Sequence, residues 1–166
     1  MNPVSTPIQT FSAVLGIAAA AFLSPTTAVS ADSAPKFHHD FAEASAAAKE
    51  AGKPLITIFS ASWCPPCQQM KRAVYPSEAA QPYHEKFVWA YLDADEEKNR
   101  PLAGKFGVSG IPHIAFLRPD GSMIGHFAGA VSPEQFTGIL DKVQADAKKP
   151  AGSGGSGAKQ GSGKKR

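Results

Sequence analysis

Cysteine is scarce in this sequence of 166 residues, which has only two, Cys64 and Cys67. Two cysteines cannot build the framework of several bridges that stabilises many small secreted domains. They also provide only two of the four ligands that a structural zinc ion needs, and no second pair follows. His38 and His39 lie near the N-terminus, where we expect a mobile pair. The sequence therefore argues against a metal site.

Hydrophobic runs long enough to cross a bilayer are also lacking. The apolar segment Phe11–Leu23 has 13 residues, whereas a spanning helix needs about 20. Small residues follow it up to Ala31, a pattern typical of a secretory signal peptide, although residues 1–10 contain no lysine or arginine. We predict a signal peptide over residues 1–31, export to the periplasm or another extracytoplasmic space, and no stable membrane insertion after cleavage. A retained anchor is the alternative.

Aromatic and branched apolar residues are absent after Ala147. A segment of this composition cannot bury enough apolar surface to fold, so residues 147–166 are predicted to be a flexible basic tail. All 14 acidic residues of the chain precede this tail, which carries cations alone. The basic pI therefore does not indicate a nucleic-acid-binding domain. The alternative to a merely solvated tail is a functional one, in which the tail is weakly attracted to anionic surfaces.

The central part of the chain, residues 32–146, alternates between helical and extended patterns and can hold one core. The predicted helices are 40–51, 68–74, 77–84, 101–106 and one beginning at 132. The predicted strands are 55–59, 87–92, 113–117 and 123–127. Strand-helix-strand crossovers imply parallel neighbours, and the last two strands form a hairpin at one edge. The fold class is therefore α/β, with a central mixed β-sheet flanked by helices on both faces.

Two of these helices begin with capping sequences. Asp40 is a predicted N-cap with Glu43 three residues later, and Gly52 is placed to end the helix. Ser132 and Gln135 form the same pattern at the start of the last helix.

The cysteine pair lies where a strand gives way to a helix. A thiolate at Cys64 would face the free N–H groups of that helix, which can lower a cysteine pKa from about 8.5 into the range of roughly 3.5–7.5. Pro65 and Pro66 have no N–H, so Cys67 supplies the main remaining donor. We therefore predict Cys64 as a nucleophile of mid-range pKa and Cys67 as the resolving thiol, with no bound cofactor. A structural cross-link is the alternative, although so short a loop stabilises by only about 2 kcal/mol.

A proline motif precedes the third predicted strand. The bond between Ile111 and Pro112 is a candidate cis peptide, because cis bonds are almost confined to proline. An ordinary trans proline is the alternative.

Together, residues 63–67 (Trp-Cys-Pro-Pro-Cys), residues 108–112 and Gly129 resemble the thioredoxin superfamily over about residues 37–146. The likeness is greatest to exported thioredoxin-like domains, such as the C-terminal domain of membrane thiol:disulfide interchange proteins. It implies a thioredoxin fold over residues 32–146, a cis Pro112 packed against the cysteines, and an Ile111 backbone that pairs with an extended substrate segment. Trp63 and Gly129 would flank that groove. It also implies protein disulfide or dithiol clients, a separate redox partner for recycling and a monomer.

The sequence departs from the thioredoxin pattern at the buried acid and at the lysine that usually accompanies it. Ile58 stands at the first position, and an apolar or aromatic residue around Tyr91 stands at the second. Cys67 must then lose its proton by another route. Possible helpers are Glu78, His84 and His113, although a strand histidine satisfied by solvent is the simpler interpretation of His113, and His126 is expected on the hairpin surface.

These observations predict an exported thiol–disulfide oxidoreductase of the protein-disulfide reductase type, acting through Cys64 and Cys67. The sequence leaves the direction of electron flow open. The alternative is a thioredoxin-fold binding or chaperone-like module whose cysteines are not catalytic.

Overall fold

The computed structural model describes residues 34–149 of the chain. The predicted signal peptide (1–31) and most of the predicted tail (150–166) lie outside the described residues. The first residue of that predicted tail, Ala147, is the last residue of a helix.

The elements follow one another in an alternating order. The strands are β1 (Phe37–His38), β2 (Leu55–Ser60), β3 (Val88–Asp93), β4 (His113–Leu117) and β5 (Met123–Ala128). The helices are α1 (Phe41–Ala51), α2 (Pro65–Gln69), α3 (Gln81–His84), α4 (Arg100–Lys105) and α5 (Pro133–Ala147). A π-helical turn (Met70–Val74) continues α2, and a 3-10 turn (Glu97–Asn99) precedes α4.

The sheet has the order β1-β3-β2-β4-β5. The β1, β3 and β2 strands are parallel, whereas β4 and β5 are antiparallel to their neighbours. This confirms the predicted mixed sheet with a hairpin edge. The central strand β2 is buried along its whole length, as expected for a strand covered on both faces.

Two hydrophobic clusters lie on the two faces of the sheet. One packs the π-helical turn and α5 against the sheet, and it includes Met70, Val74, Phe136 and Leu140. The other packs α1 and α4 against the opposite face, and it includes Ala44, Ala48 and Phe106. Helices therefore cover both faces, as predicted.

The predicted caps are confirmed in all but one detail. The Asp40 side chain accepts hydrogen bonds from the backbone of Ala42 and Glu43, and Gly52 ends α1 with φ of 62°. Ser132 and Gln135 form a reciprocal capping box at α5. The expected box at α1 is incomplete, because no bond returns from the Glu43 side chain to the Asp40 backbone.

Two other expectations were wrong in whole or in part. His38 and His39 are not a mobile pair: His38 belongs to β1, and His39 Nδ1 is 3.1 Å from the Tyr91 carbonyl oxygen. The predicted helix over 77–84 is helical only at Gln81–His84, because turns occupy its first half. The predicted helix over 68–74 is confirmed as helical throughout, because α2 runs to Gln69 and a π-helical turn, which the sequence does not indicate, continues it to Val74.

The end of α5 is held by the side chain of Arg118, which is only 8% exposed. Its guanidinium donates to the carbonyl oxygens of Asp146 and Lys149, at 3.2 Å each, and also to that of Met123 at 3.2 Å. A cation at the carboxyl end of a helix is favourable because the last carbonyl groups have no helical partner.

Candidate functional site

The candidate site is built around Cys64, which is the N-cap residue of α2. Its backbone is extended (φ −89°, ψ 105°), and its Sγ accepts a 3.3 Å hydrogen bond from the Cys67 N–H. Pro65 and Pro66 occupy the first two helical positions and have no N–H to donate. The predicted arrangement, with Cys67 as the remaining donor to the sulfur, is the one observed.

The two cysteines are joined as a disulfide with a Cα–Cα distance of 5.3 Å. Both are buried, Cys64 at 3% exposure and Cys67 at 1%. Ala61 is buried with them, and the partly buried Ile111 packs against the same cluster. The structure therefore places one of the predicted substrate-binding residues directly beside the disulfide.

The segment opposite the cysteines is fixed by a proline and a glycine. The Ile111–Pro112 peptide bond is cis. The Gly129 N–H donates a 2.8 Å hydrogen bond to the Pro112 carbonyl oxygen. Gly129 has φ of 100°, a conformation that only glycine adopts readily. Pro112 and Gly129, which are 17 positions apart in the sequence, thus come together at the beginning of β4.

Trp63 is exposed beside the disulfide, and its indole is held in place. The side chain is 66% exposed, yet its Nε1 donates a 2.6 Å hydrogen bond to Asp95 Oδ2. Asp95 is in turn positioned by its own N–H, which donates to Asp93 Oδ1 at 2.9 Å. No local signal links Asp95 to Trp63, because the contact joins residues 32 positions apart.

Ile58 lies fully buried where the thioredoxin pattern would place an acid. Its partners in the sheet are Tyr91 on β3 and Ile114 on β4, so no charged group faces it from either strand. The Tyr91 hydroxyl instead lies 2.5 Å from Ser60 Oγ. Residues 34–149 also contain no group of three or more His, Cys, Asp and Glu side chains arranged to hold a metal ion.

Of the possible proton-transfer helpers, His84 contacts another group and Glu78 is exposed to solvent. His84 Nε2 is 2.8 Å from the Tyr75 carbonyl oxygen. Neither makes a hydrogen bond to a cysteine within the described residues.

His113 is not satisfied by solvent, contrary to the simpler expectation. It is 1% exposed, and neither ring nitrogen has a hydrogen-bond partner among the described residues. Its ring stacks on that of His126, with centroids 5.0 Å apart, and meets the edge of Phe59. Burial, and then the nearby His126, lower the pKa of His113. His126 itself is exposed on the hairpin, as predicted.

Comparisons with known proteins agree with this geometry. Residues 41–144 match a family model described as a thioredoxin-like domain. Thioredoxin-like protein HCF164, chloroplastic, from Oryza sativa subsp. japonica is 37% identical over 94 residues, which are 57% of this chain and 34% of that protein. Protein disulfide-isomerase from Zea mays is 35% identical over 91 residues, which are 54% of this chain and 17% of that protein. The matched region thus spans 34% of the first relative and 17% of the second.

Solved structures share the fold. The solution structure of a thioredoxin from Thermus thermophilus has a TM-score of 0.63 at 25% identity, covering 69% of this chain and 91% of that one. The oxidised C-terminal domain of DsbD from Neisseria meningitidis has a TM-score of 0.55 at 24% identity, covering 64% of this chain and 98% of that domain.

Proposed function

We infer the function of this chain from one premise: it belongs to the thioredoxin-like family, whose model matches residues 41–144. It carries the paired cysteines of the oxidoreductases in that family, Cys64 and Cys67. We propose that it is a disulfide reductase that exchanges its dithiol with the disulfides of protein clients. The observation that carries the proposal is the Cys64 sulfur at the start of α2, which faces a backbone donor and packs beside Ile111.

The reaction takes place in two exchanges. The Cys64 thiolate attacks one sulfur of a client disulfide, that bond breaks, and the other client sulfur leaves as a thiolate that takes up a proton. Cys67 then loses its proton and attacks Cys64 Sγ, which breaks the mixed disulfide and releases the second client sulfur. The client is reduced to a dithiol, and the protein becomes the Cys64–Cys67 disulfide. A separate redox partner returns it to the dithiol form.

We further propose that a client segment binds in extended form beside the disulfide. The backbone of Ile111 would pair with this segment as an added strand, while Trp63 and Gly129 would border the groove. Support comes from the exposed Trp63 indole and from the Gly129–Pro112 hydrogen bond, which fixes the backbone at that point. We also propose export, based on the signal-peptide pattern of residues 1–31.

Insulin reduction in the presence of dithiothreitol tests the proposed function. The wild-type protein should accelerate insulin precipitation, and Cys64→Ser should abolish the acceleration. Reduced Cys67→Ser protein, freed of dithiothreitol before insulin is added, should retain the first attack and accumulate a mixed disulfide with insulin, visible by non-reducing electrophoresis. Wild-type protein that gives no acceleration would favour a binding module with inert cysteines.

The direction of electron flow follows from the reduction potential. A glutathione titration should place the Cys64–Cys67 couple near the thioredoxin value of roughly −270 mV. A value near about −120 mV would instead make the protein an oxidant of its clients.

A further inference from the structure

A pair of hydroxyl groups, one on the buried Ser60 and one on the partly buried Tyr91, lies at the carboxyl end of β2, four residues before Cys64. Ser60 Oγ and Tyr91 Oη are 2.5 Å apart, and Ser60 is only 1% exposed. Neither hydroxyl makes a second hydrogen bond within residues 34–149. The pair plays no part in the exchange described above.

Only one of the two hydroxyl hydrogens takes part in the hydrogen bond between Ser60 and Tyr91. Each hydroxyl carries one hydrogen, and a single hydrogen bond between them uses one of the two. Either hydroxyl can be the donor, and in the orientation in which Tyr91 donates to Ser60, the hydrogen of Ser60 remains buried without an acceptor. A buried donor without an acceptor costs about 1–3 kcal/mol. The arrangement therefore suits a site where an acceptor is present for only part of the reaction cycle.

The pair lies on the face of the sheet that the active-site helix covers. Alternate residues of a strand share one face, so Ser60 lies on the same face as Ile58. Ile58 belongs to the cluster that contains Met70 and Val74 of the π-helical turn, and Tyr91 packs against that cluster. The hydroxyl pair and the active-site helix thus meet on one side of β2.

Helical spacing brings Cys67 to the same side. Cys67, Met70 and Val74 are separated by three and four positions, the spacing of one helical face, and all three are buried. Lys71, one turn after Cys67, has its Nζ 4.7 Å from the centre of the Tyr91 ring. The helical face that carries Cys67, Met70 and Val74 is therefore the one that packs on the side of the sheet where the hydroxyl pair lies.

Cys67 needs a polar neighbour at one step. It is 1% exposed and must become a thiolate to resolve the mixed disulfide, and burial disfavours that charge. Ile58 and its sheet partners provide no charged group. A hydroxyl hydrogen that is free to turn is one local means of stabilising the sulfur.

We propose that the Ser60 hydroxyl donates a hydrogen bond to the Cys67 thiolate during resolution, with Tyr91 as the positioning residue that donates to Ser60. This inference rests on the proposed thiol–disulfide exchange. The Cys67 proton passes to water, and both hydroxyl hydrogens stay on their oxygens. A lone pair of the Cys67 sulfur forms the new bond to Cys64 Sγ, and the client sulfur leaves with the electrons of the broken bond and takes up a proton.

Stopped-flow reaction of the reduced full chain with 5,5′-dithiobis(2-nitrobenzoate) separates the two cysteines. Attack by Cys64 releases the first thionitrobenzoate, and resolution by Cys67 releases the second. In Tyr91→Phe and Ser60→Ala, the second phase should be about tenfold slower at neutral pH, and its pH midpoint should rise by about one unit. The first phase should keep its wild-type rate. Ser60→Thr retains a hydroxyl and should restore the second phase.

Tyr75→Phe is the matched control, because Tyr75 is buried in the same cluster and its hydroxyl does not contact the pair. It should leave both phases unchanged. An unchanged midpoint of the second phase in both Tyr91→Phe and Ser60→Ala would overturn the proposal, as would an equal shift in Tyr75→Phe. A wild-type protein that shows both phases but fails to reduce insulin would refute the proposed function, and the role of the hydroxyl pair would stand.

Discussion

The indole of Trp63 donates a 2.6 Å hydrogen bond to the carboxylate of Asp95, across 32 positions of sequence. This contact holds a largely exposed aromatic side chain in one orientation beside the disulfide. A ring that is already fixed loses less conformational freedom when a client binds.

Releasing this ring should therefore weaken client binding. For Asp95→Ala, we expect the KM for insulin to rise about fivefold, equivalent to about 1 kcal/mol, with little change in kcat. Asp95→Asn keeps an acceptor oxygen and should have a smaller effect. Glu97→Ala is the control, because it removes the same charge from an exposed neighbour. Equal effects of Asp95→Ala and Glu97→Ala would show that charge alone is responsible.

The Cys64 thiol should be more acidic than a free cysteine. In reduced Cys67→Ser protein, the iodoacetamide reaction should titrate with a midpoint in the middle of the roughly 3.5–7.5 range. The physical reason is the single backbone donor left by Pro65 and Pro66, which stabilises the thiolate less than three donors would. A midpoint above about 8.5 would show that the helix start does not activate Cys64.

Gly129 should tolerate no side chain, for reasons of backbone conformation. At φ of 100°, an alanine would be strained by about 1–3 kcal/mol, although no atom lies within 4 Å of its Cβ position. Gly129→Ala should lower the free energy of unfolding by that amount in urea titrations and slow insulin reduction. Gly138→Ala, in the exposed middle of α5, should stabilise the protein by about 0.5–1 kcal/mol. A stable, fully active Gly129→Ala protein would contradict this expectation.

The buried His113 should make the protein less stable in acid. Its folded-state pKa lies below the ordinary 6.5, so the unfolded chain binds the proton more readily. The free energy of unfolding should fall as the pH drops below 6.5, by at most about 1.4 kcal/mol per pH unit from this group, until the folded-state pKa is passed.

Urea titrations between pH 5 and 7 measure this contribution. In His113→Leu, the titrating group is removed, so the pH dependence should be shallower than in the wild type. His126→Gln retains the buried imidazole and should keep most of the slope. If the free energy of unfolding had the same pH dependence in the wild type and in His113→Leu, titration of His113 would not be the cause of the acid sensitivity.

Arg118 should stabilise the fold by joining the hairpin to the end of α5. Arg118→Met removes donors from three backbone carbonyl groups and should lower the free energy of unfolding by about 2–3 kcal/mol. Arg118→Lys should recover only part of this loss, because an ammonium group lacks the planar fork. Arg100→Met, at an exposed position of α4, should change stability by less than about 0.5 kcal/mol.

The features that the sequence predicted are those with local causes. The helix start at Cys64, the caps at Asp40 and Ser132, and the buried strand β2 each depend on a few consecutive residues. The cysteine pair and the Ile111–Pro112 motif were likewise identified from short segments.

The features that the sequence did not predict join distant segments. Strand β1 has only two residues, and Phe37 is held there by aromatic contacts with Tyr75 and Trp89 that no local pattern encodes. The Trp63–Asp95 and Ser60–Tyr91 pairs depend on the register between β2 and β3, which hydrophobic alternation does not specify when both strands are buried.

The contacts of Arg118 determine where the described chain leaves the domain. His113, at the beginning of β4, pairs with Phe59 near the cysteines, whereas Leu117, at the other end of β4, pairs with Leu55. Arg118 therefore holds the last turn of α5 at the end of the sheet away from the disulfide, about 15 Å along the strand direction. A fluorophore, an affinity handle or a solid support joined after Lys149 should therefore leave the proposed client groove unobstructed.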